Sequence, residues 1–359
     1  MLILILKIKK QSMSGHVNNN SKVLVTGGNG FISGYLIEEL LSSGYKVVAI
    51  DNFSKYGQVK KTYDTNENYQ LIEGDVKNTD LLYSLMKDCD HLVAGAAMIG
   101  GISYFHEFAY DLIAENERII ASTFDAAIES YKTNNLKKIT VLSSSMVYES
   151  SDIYPTPEGA QLTSAPPLST YGFQKLSVEY FAKGAYEQYK LPYTIVRPFN
   201  CIGIGEKRAK NDADIKSGNI KLALSHVVPD IIQKIAKGQN PLHILGNGNQ
   251  IRHYTYGGDL AKGIKVCMEH KNALNNDFNI STSTSTTVNQ LCQSIWNKMK
   301  LGEELKIVND DPYTYDVQKR VPSTDKAKNL LGYTANTSLD ESLDEIIPWV
   351  VDQVRTGEM

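Results

Sequence analysis

Apolar residues along the first two hundred positions alternate between two kinds of run. Lys22 to Thr26 (KVLVT) is a short β-branched stretch, followed by GGNGFISG and then by the periodically apolar YLIEELLSSG. This reads as strand, glycine turn and helix. Tyr45 to Ile50 (YKVVAI) is a second buried strand ending at Asp51, and further strands are predicted over Tyr69–Glu73, His91–Ala94, Lys138–Leu142 and Tyr193–Arg197. Between them the apolar period lengthens to that of a helix over Asp80–Lys87, Ala114–Tyr131 and Lys175–Gln188. Near-continuously apolar strands alternating with helices predict an α/β fold: a doubly wound parallel sheet of the Rossmann type, covered on both faces.

After about residue 200 the pattern changes. Polar stretches (GEKRAKNDADIKSGN, ALNNDFNISTSTSTT) separate isolated helices such as Val227–Lys237 and Val288–Lys298. We read residues 21–200 as a first domain, whose glycine turn GGNGFISG between strand and helix is the form that binds a dinucleotide and whose strand ends carry the candidate catalytic residues. Residues 201–359 read mainly as a smaller mixed α/β substrate lobe, with some segments returning to the first domain. Residues 1–20 read as a poorly ordered extension. Leu2 to Leu6 is continuously apolar but too short to span a bilayer, and Lys7, Lys9 and Lys10 follow it instead of preceding it.

Composition narrows the function classes. The net charge of −3, with Lys and Arg spread along the chain, argues against general nucleic-acid binding. Cys89, Cys201, Cys267 and Cys292 form no CxxC pair or Cys/His cluster, so no metal site is expected. A reducing, cytoplasmic setting fits that usage, with no membrane association.

Two constellations carry chemistry. In Gly27-Gly28-Asn29-Gly30-Phe31-Ile32-Ser33-Gly34 the glycines let the backbone turn tightly and approach a pyrophosphate, whose charge meets the N–H groups opening the helix. Asp51 closes the next strand about 20 residues on, where a carboxylate binds ribose hydroxyls and repels a 2′-phosphate, which favours NAD over NADP. A plain turn cap is the alternative for Asp51. Gly74-Asp75-Val76 follows the third strand, where Asp75 either reaches the adenine amino group or merely closes a turn. The second constellation joins the hydroxyls of Ser143, Ser144 and Ser145 at a strand end to Tyr171 and Lys175, one helical turn apart on a common face. A lysine beside a phenol lowers its pKa and suits it to act as a base, and a serine hydroxyl can share the proton in transit.

In this order and spacing, TGGNGFISG, GDV, SSSMVY and YGFQK resemble the extended short-chain dehydrogenase/reductase family of nucleotide-sugar epimerases and dehydratases. RPFNCIG (197–203) looks like that family's segment approaching the sugar diphosphate. LGNGNQIRHY (245–254), Asp259 and the C-terminal Arg320…Asp325-Lys326-Ala327…Leu331-Gly332-Tyr333 also match, so the likeness covers roughly residues 21–350. Ala96 to Ile102 (AAMIGGI) is similar to a loop of GDP-fucose synthases and GDP-mannose 3,5-epimerases, and Ser225-His226-Val227-Val228-Pro229 to the segment bearing the acid/base histidine of the former. Here Met146 stands where those enzymes carry a cysteine, and Ser145-Met146 where dehydratases carry Asp-Glu.

The resemblance implies that NAD is held by Gly27, Asn29, Gly30, Phe31, Ile32, Asp51, Asn52, Asp75, Val76, Ala96 and Ala97, with Tyr171 and Lys175. It implies a nucleotide-diphosphate sugar held by Gly100, Gly101, Ser144, Asn200, His226, Arg252 and Arg320, catalysis by Ser144, Tyr171 and Lys175, and a homodimer built on the helices around Ala114–Tyr131 and Lys175–Gln188. His226 is either an acid/base group or a helix cap. The groups present suffice for oxidation at the sugar C4 and hydride return to the opposite face, a 4-epimerisation. The alternatives are a C3/C5 epimerase of the GDP-mannose type, a 4,6-dehydratase, an NADPH-dependent reductase and a non-catalytic NAD-binding protein.

Overall fold

The computed structural model describes residues 21–99, 108–206, 226–312 and 317–359. The N-terminal extension, Gly100, Gly101 and Ser225 lie outside them.

A seven-stranded sheet runs in the order β11-β6-β5-β4-β1-β2-β3, with every pairing parallel. Its strands are β1 (Lys22–Thr26), β2 (Lys46–Asp51), β3 (Tyr69–Glu73), β4 (His91–Ala94), β5 (Lys138–Leu142), β6 (Tyr193–Pro198) and β11 (Asn276–Ile280). Successive side chains serve opposite faces. Val23, Val25, Val47 and Ala49 pack with Leu36, Ile37 and Leu40 of α1 (Phe31–Ser42) and with Leu260 and Ile264 of α6 (Gly257–Glu269). Leu24, Val48, Ile50, Ile139 and Ile195 pack on the other side against α2 (Thr79–Met86), α3 (Ala109–Thr133) and α4 (Thr170–Tyr189). Being buried on both faces is what makes these strands read as unbroken apolar runs.

The strand order reverses between β1 and β4. In doubly wound sheets that reversal opens a crevice at the carboxyl ends of the strands. Thr26, the last residue of β1, spans it: its hydroxyl accepts the N–H groups of Gly95 and Ala96, each at 3.1 Å, just beyond β4.

A second apolar core gathers Ile231, Ile232 and Ile235 of α5 (Val227–Ala236), Leu291 and Ile295 of α7 (Val288–Met299), and Leu343 and Ile346 of α9 (Leu339–Arg355), which follows the short α8 (Asp325–Leu331). Three two-stranded pairs edge it: β7 (Cys201–Ile202) with β10 (Thr255–Tyr256), β8 (Leu242–Leu245) with β13 (Ile307–Asp310), and β9 (Ile251–Arg252) with β12 (Thr286–Thr287). Capping boxes start two of its helices, Thr287 with Gln290 and Ser338 with Glu341, each satisfying otherwise orphaned N–H groups.

The polar stretch 273–287 departs from the sequence reading, because residues 276–280 form the seventh strand. Only Phe278 and Ile280 face the apolar core. Asn279 is fully buried yet satisfied: it accepts from Tyr148 at 2.9 Å and donates to the carbonyls of Thr156 and Ser323, each at 3.1 Å. A strand that buries a paired asparagine looks like a loop to any hydropathy pattern.

Candidate active site

The glycine turn lies at the switch point. The N–H groups of Gly27 and Gly28 both donate to the Ile50 carbonyl, at 2.9 and 3.1 Å, which ties the turn to the end of β2. Gly27 has φ of +69°, and a Cβ there would come within 2.8 Å of the Ala96 backbone. A Cβ on Gly28 would lie 2.4 Å from that of Ala49. Ser33 is buried in the first turn of the helix that follows, where a Cβ on Gly95 would lie 3.4 Å from its hydroxyl oxygen. Gly30 stands before α1 in extended conformation, and among the described residues no side chain caps the helix. Its opening N–H groups therefore face the crevice.

Asp51 accepts the Asn29 N–H at 3.0 Å and the Phe53 N–H at 2.8 Å. Burial raises its carboxyl pKa, opposed by those two bonds and by the charge of Lys61. Asn29 is buried, donates to the Gly57 carbonyl at 2.8 Å, and leaves its side-chain oxygen without a partner among the described residues. An uncapped helix start, a turn with no room for side chains, a carboxylate at the β2 end and a buried unpaired acceptor together fit a dinucleotide. Asn52 is exposed and holds the Ser54 N–H at 3.1 Å. Asp75 closes a turn, accepting the Lys77 N–H at 2.9 Å with one oxygen, while its other oxygen lies 3.6 Å from the Lys77 ammonium. Val76 is core, and its carbonyl accepts the Ser122 hydroxyl at 2.7 Å. Asn116 orders the loop after β4, where Ala96 and Ala97 lie, by bonding both the N–H and the carbonyl of Met98, at 2.8 and 2.9 Å. Nothing in the sequence marked it.

Ser144, Tyr171 and Lys175 converge at the end of β5. Ser144 caps the short 3-10 turn Ser145–Tyr148, accepting the Met146 N–H at 3.2 Å, and its hydroxyl also bonds the Tyr171 phenol. Ser169 caps α4 through the Gly172 N–H at 3.0 Å, and Glu149 fixes Ser169 with bonds of 2.9 Å to its N–H and its hydroxyl. Glu149 is thus a support for the helix start. Burial raises the Tyr171 pKa, opposed by the Ser144 bond and then by the charge of Arg320. The sequence reading assigned that charge to Lys175. Lys175 instead donates to the Leu142 carbonyl at 3.1 Å and sits 6.0 Å from the Tyr171 ring centre, and burial pushes its own pKa down to about 8.

Residues 318–323 lace the two lobes together, which brings the charge of Arg320 to bear on Tyr171. The Ile251 N–H donates to the Gln318 carbonyl at 2.8 Å and the Arg320 N–H to the Ile251 carbonyl at 3.1 Å, while Thr156 bonds Val321 at 2.7 Å and Ser323 at 2.8 Å. Arg252 lies on the neighbouring β9, where its guanidinium donates to the Ile251 carbonyl at 3.0 Å. The charges of both arginines bear on the buried Tyr254 phenol. Asn200 has φ of +36° and ties β7 to β10 through its carbonyl, which accepts the Thr255 N–H at 3.1 Å. His226 occupies the cap position of α5 but makes no capping bond, and its Nδ1 pairs with the buried carboxylate of Glu206. Neither half of the sequence alternative foresaw that partner. Cys201 is half-buried, and desolvation, then the charge of Glu206, holds its thiol well above the usual thiol range, so it stays protonated.

Arg197, in the segment expected to approach a diphosphate, is buried entirely within a polar network. It makes two 2.7 Å bonds to Glu179, one of 2.7 Å to Asp277 and one of 2.8 Å to the Tyr148 hydroxyl.

A Rossmann sheet, a dinucleotide cradle and a serine–tyrosine–lysine cluster at the strand ends define a short-chain dehydrogenase/reductase type of enzyme. Residues 23–281 match the model of the NAD dependent epimerase/dehydratase family, and the chain belongs to that family; its cofactor is NAD. The chain is 27% identical over 336 residues, 93% of its length and 100% of the relative's, to a putative UDP-glucose 4-epimerase of Methanocaldococcus jannaschii. Its fold superposes with a TM-score of 0.74 on the UDP-glucose 4-epimerase of Thermotoga maritima solved with UDP-glucose, at 27% identity over 94% of this chain and 100% of that one. For the UDP-glucuronic acid 4-epimerase of Bacillus cereus, solved with UDP-glucuronic acid and NAD, the TM-score is 0.78 at 25% identity, covering 92% and 99%. Among the described residues no helix is long and apolar enough to cross a membrane.

Proposed function

We propose that this enzyme inverts C4 of a uridine-diphosphate hexose. The observation that carries the reading is the convergence of Ser144, Tyr171 and Lys175 at the end of β5, beside a crevice that fits NAD. When bound, NAD supplies the reversible hydride acceptor for the sugar C4. Tyr171 takes the C4 hydroxyl proton as the carbonyl forms, and Ser144 donates to the same oxygen, holding it in line with the phenol. In this reading Lys175, held by the Leu142 carbonyl at 3.1 Å, orients the nicotinamide ribose. Arg252 and Arg320 in turn hold the diphosphate, and His226, paired with Glu206, belongs to the same sugar-nucleotide site. Rotation of the 4-keto sugar about its diphosphate before hydride return gives the C4 epimer, and the proton then returns from Tyr171. No other proton-transfer group is required.

Relatives named for activity on UDP sugars support uridine as the base. The alternatives lack equipment: Met146 cannot move a proton, and no Asp-Glu pair follows Ser144. The reading includes a homodimer through α3 and α4. Phe173 and Tyr180, seven residues apart on one face of α4, are 49% and 59% exposed, and Tyr110 at the start of α3 is 76% exposed. The four free cysteines suit a reducing compartment.

Tyr171→Phe tests the assignment. With UDP-glucose as substrate, kcat should fall by at least about 100-fold while NAD stays bound, since the lost group is the base. A folded variant with near-normal turnover would move the chemistry elsewhere.

A further inference from the structure

Tyr35 stands apart from the chemistry, yet three elements meet on it. It lies on α1, one turn inside the helix whose N-terminus faces the dinucleotide. Its hydroxyl accepts the Ile204 N–H at 2.8 Å and donates to a Glu345 oxygen at 3.3 Å. Glu345 belongs to α9 of the second core, and its other oxygen accepts the Tyr256 hydroxyl at 2.5 Å. The rings form a chain of edge contacts, Phe31 to Tyr35 at 5.9 Å and Tyr35 to Tyr256 at 5.5 Å between centroids. Burial, then the charge of Glu345, holds the Tyr35 phenol far above the ordinary range, so it remains a donor.

The backbone around this ring is shaped to it. A Cβ on Gly203 or on Gly257 would lie 2.5 Å from Tyr35 atoms, so both positions need glycine for close approach. Gly205 comes next to Phe31, and Glu206 follows, holding His226. The segment from Gly203 to Glu206 therefore rests on the first two turns of the cofactor helix. Its one bond from the Ile204 N–H into α1 is the Tyr35 hydroxyl.

We propose that Tyr35 is a positioning residue that registers the Gly203–Glu206 segment, and through Glu206 the His226 side chain, on the cofactor helix, so that dinucleotide and nucleotide-sugar binding are energetically linked. The effect on substrate rests on the reading of His226 as part of the sugar-nucleotide pocket. The effect on the segment does not.

Two readouts separate these. In Tyr35→Phe, the KM for UDP-glucose should rise roughly 2- to 12-fold, the equivalent of one hydrogen bond, with kcat within about twofold of wild type. Tyr256→Phe breaks the other bond to Glu345 but leaves Ile204 held, and should keep KM near the wild-type value. Hydrogen–deuterium exchange read by mass spectrometry supplies the second measurement, without substrate. Adding NAD to the wild type should slow exchange across residues 203–206, and in Tyr35→Phe that slowing should be lost although NAD still binds. Exchange that responds equally to NAD in both proteins would overturn the proposal. So would a fall in kcat at constant KM, or an equal rise in KM in Tyr256→Phe. Absence of turnover on any nucleotide sugar by the wild type, with the exchange effect present, would sink the epimerase reading and leave the registration of the segment standing.

Discussion

Arg197 decides between two roles for the strand-end arginine, and its replacement by methionine separates them by stability. The guanidinium is wholly buried and bonded to Glu179, Asp277 and Tyr148, while Glu179 is also wholly buried and accepts the Ser143 hydroxyl at 2.7 Å. Methionine keeps the approximate volume but leaves the Glu179 charge in the interior with only neutral donors. Breaking a buried pair by removing one partner costs about 3–5 kcal/mol. Asp277 adds less, because its carboxylate is 22% exposed and keeps Lys326 at 2.6 Å. Urea unfolding followed by circular dichroism should show a midpoint lowered by that free energy. Adding Glu179→Gln to Arg197→Met removes the stranded charge and should restore about half of the loss, since coupled sites are not additive. Substrate affinity of the folded fraction should stay near wild type. A variant with an unchanged unfolding midpoint and weakened nucleotide-sugar binding would refute the reasoning and return Arg197 to the diphosphate.

Two further outcomes follow from the same geometry. Arg320 lowers the Tyr171 pKa, so Arg320→Gln raises it; the ionised phenol is then reached only at higher pH, and the acid limb of the kcat profile moves upward. At neutral pH kcat should fall by less than the ~100-fold cost of losing the base and should recover toward alkaline pH, whereas Arg320→Lys keeps the charge and most of the rate; an unshifted limb counts against the assignment. Light scattering at micromolar concentration should give twice the chain mass of 39.9 kDa, with Tyr180→Glu shifting the population to monomer; a wild type that is monomeric throughout would remove the dimer.

The first half of the fold was legible because its physics is local. Strands buried on both faces must be apolar throughout, and the glycine turn, Asp51, Ser144, Tyr171 and Lys175 all sit at the ends of such strands or at the helix starts beside them. What escaped the sequence depends on distant partners. Arg197 finds Glu179 18 residues back, Tyr148 49 back and Asp277 80 ahead. Arg320 acts on Tyr171 only because residues 318–323 cross from one lobe to the other. Strand β11 hides because Asn279 satisfies itself against three separate segments. Glu206 pairs with His226 across twenty residues that carry no readable period. Polar networks closed by tertiary contact leave no spacing to read.

The central claim is that hydride removal and return at C4 is the whole reaction. The direct measurement is NMR of the NAD-loaded enzyme turning over UDP-glucose, UDP-N-acetylglucosamine and UDP-glucuronic acid in deuterated water. The account predicts a C4 epimer with no solvent deuterium at C3 or C5 and no net oxidation. Deuterium at C3 or C5 that disappears in His226→Asn, or loss of water to a 4-keto-6-deoxy sugar, would contradict it.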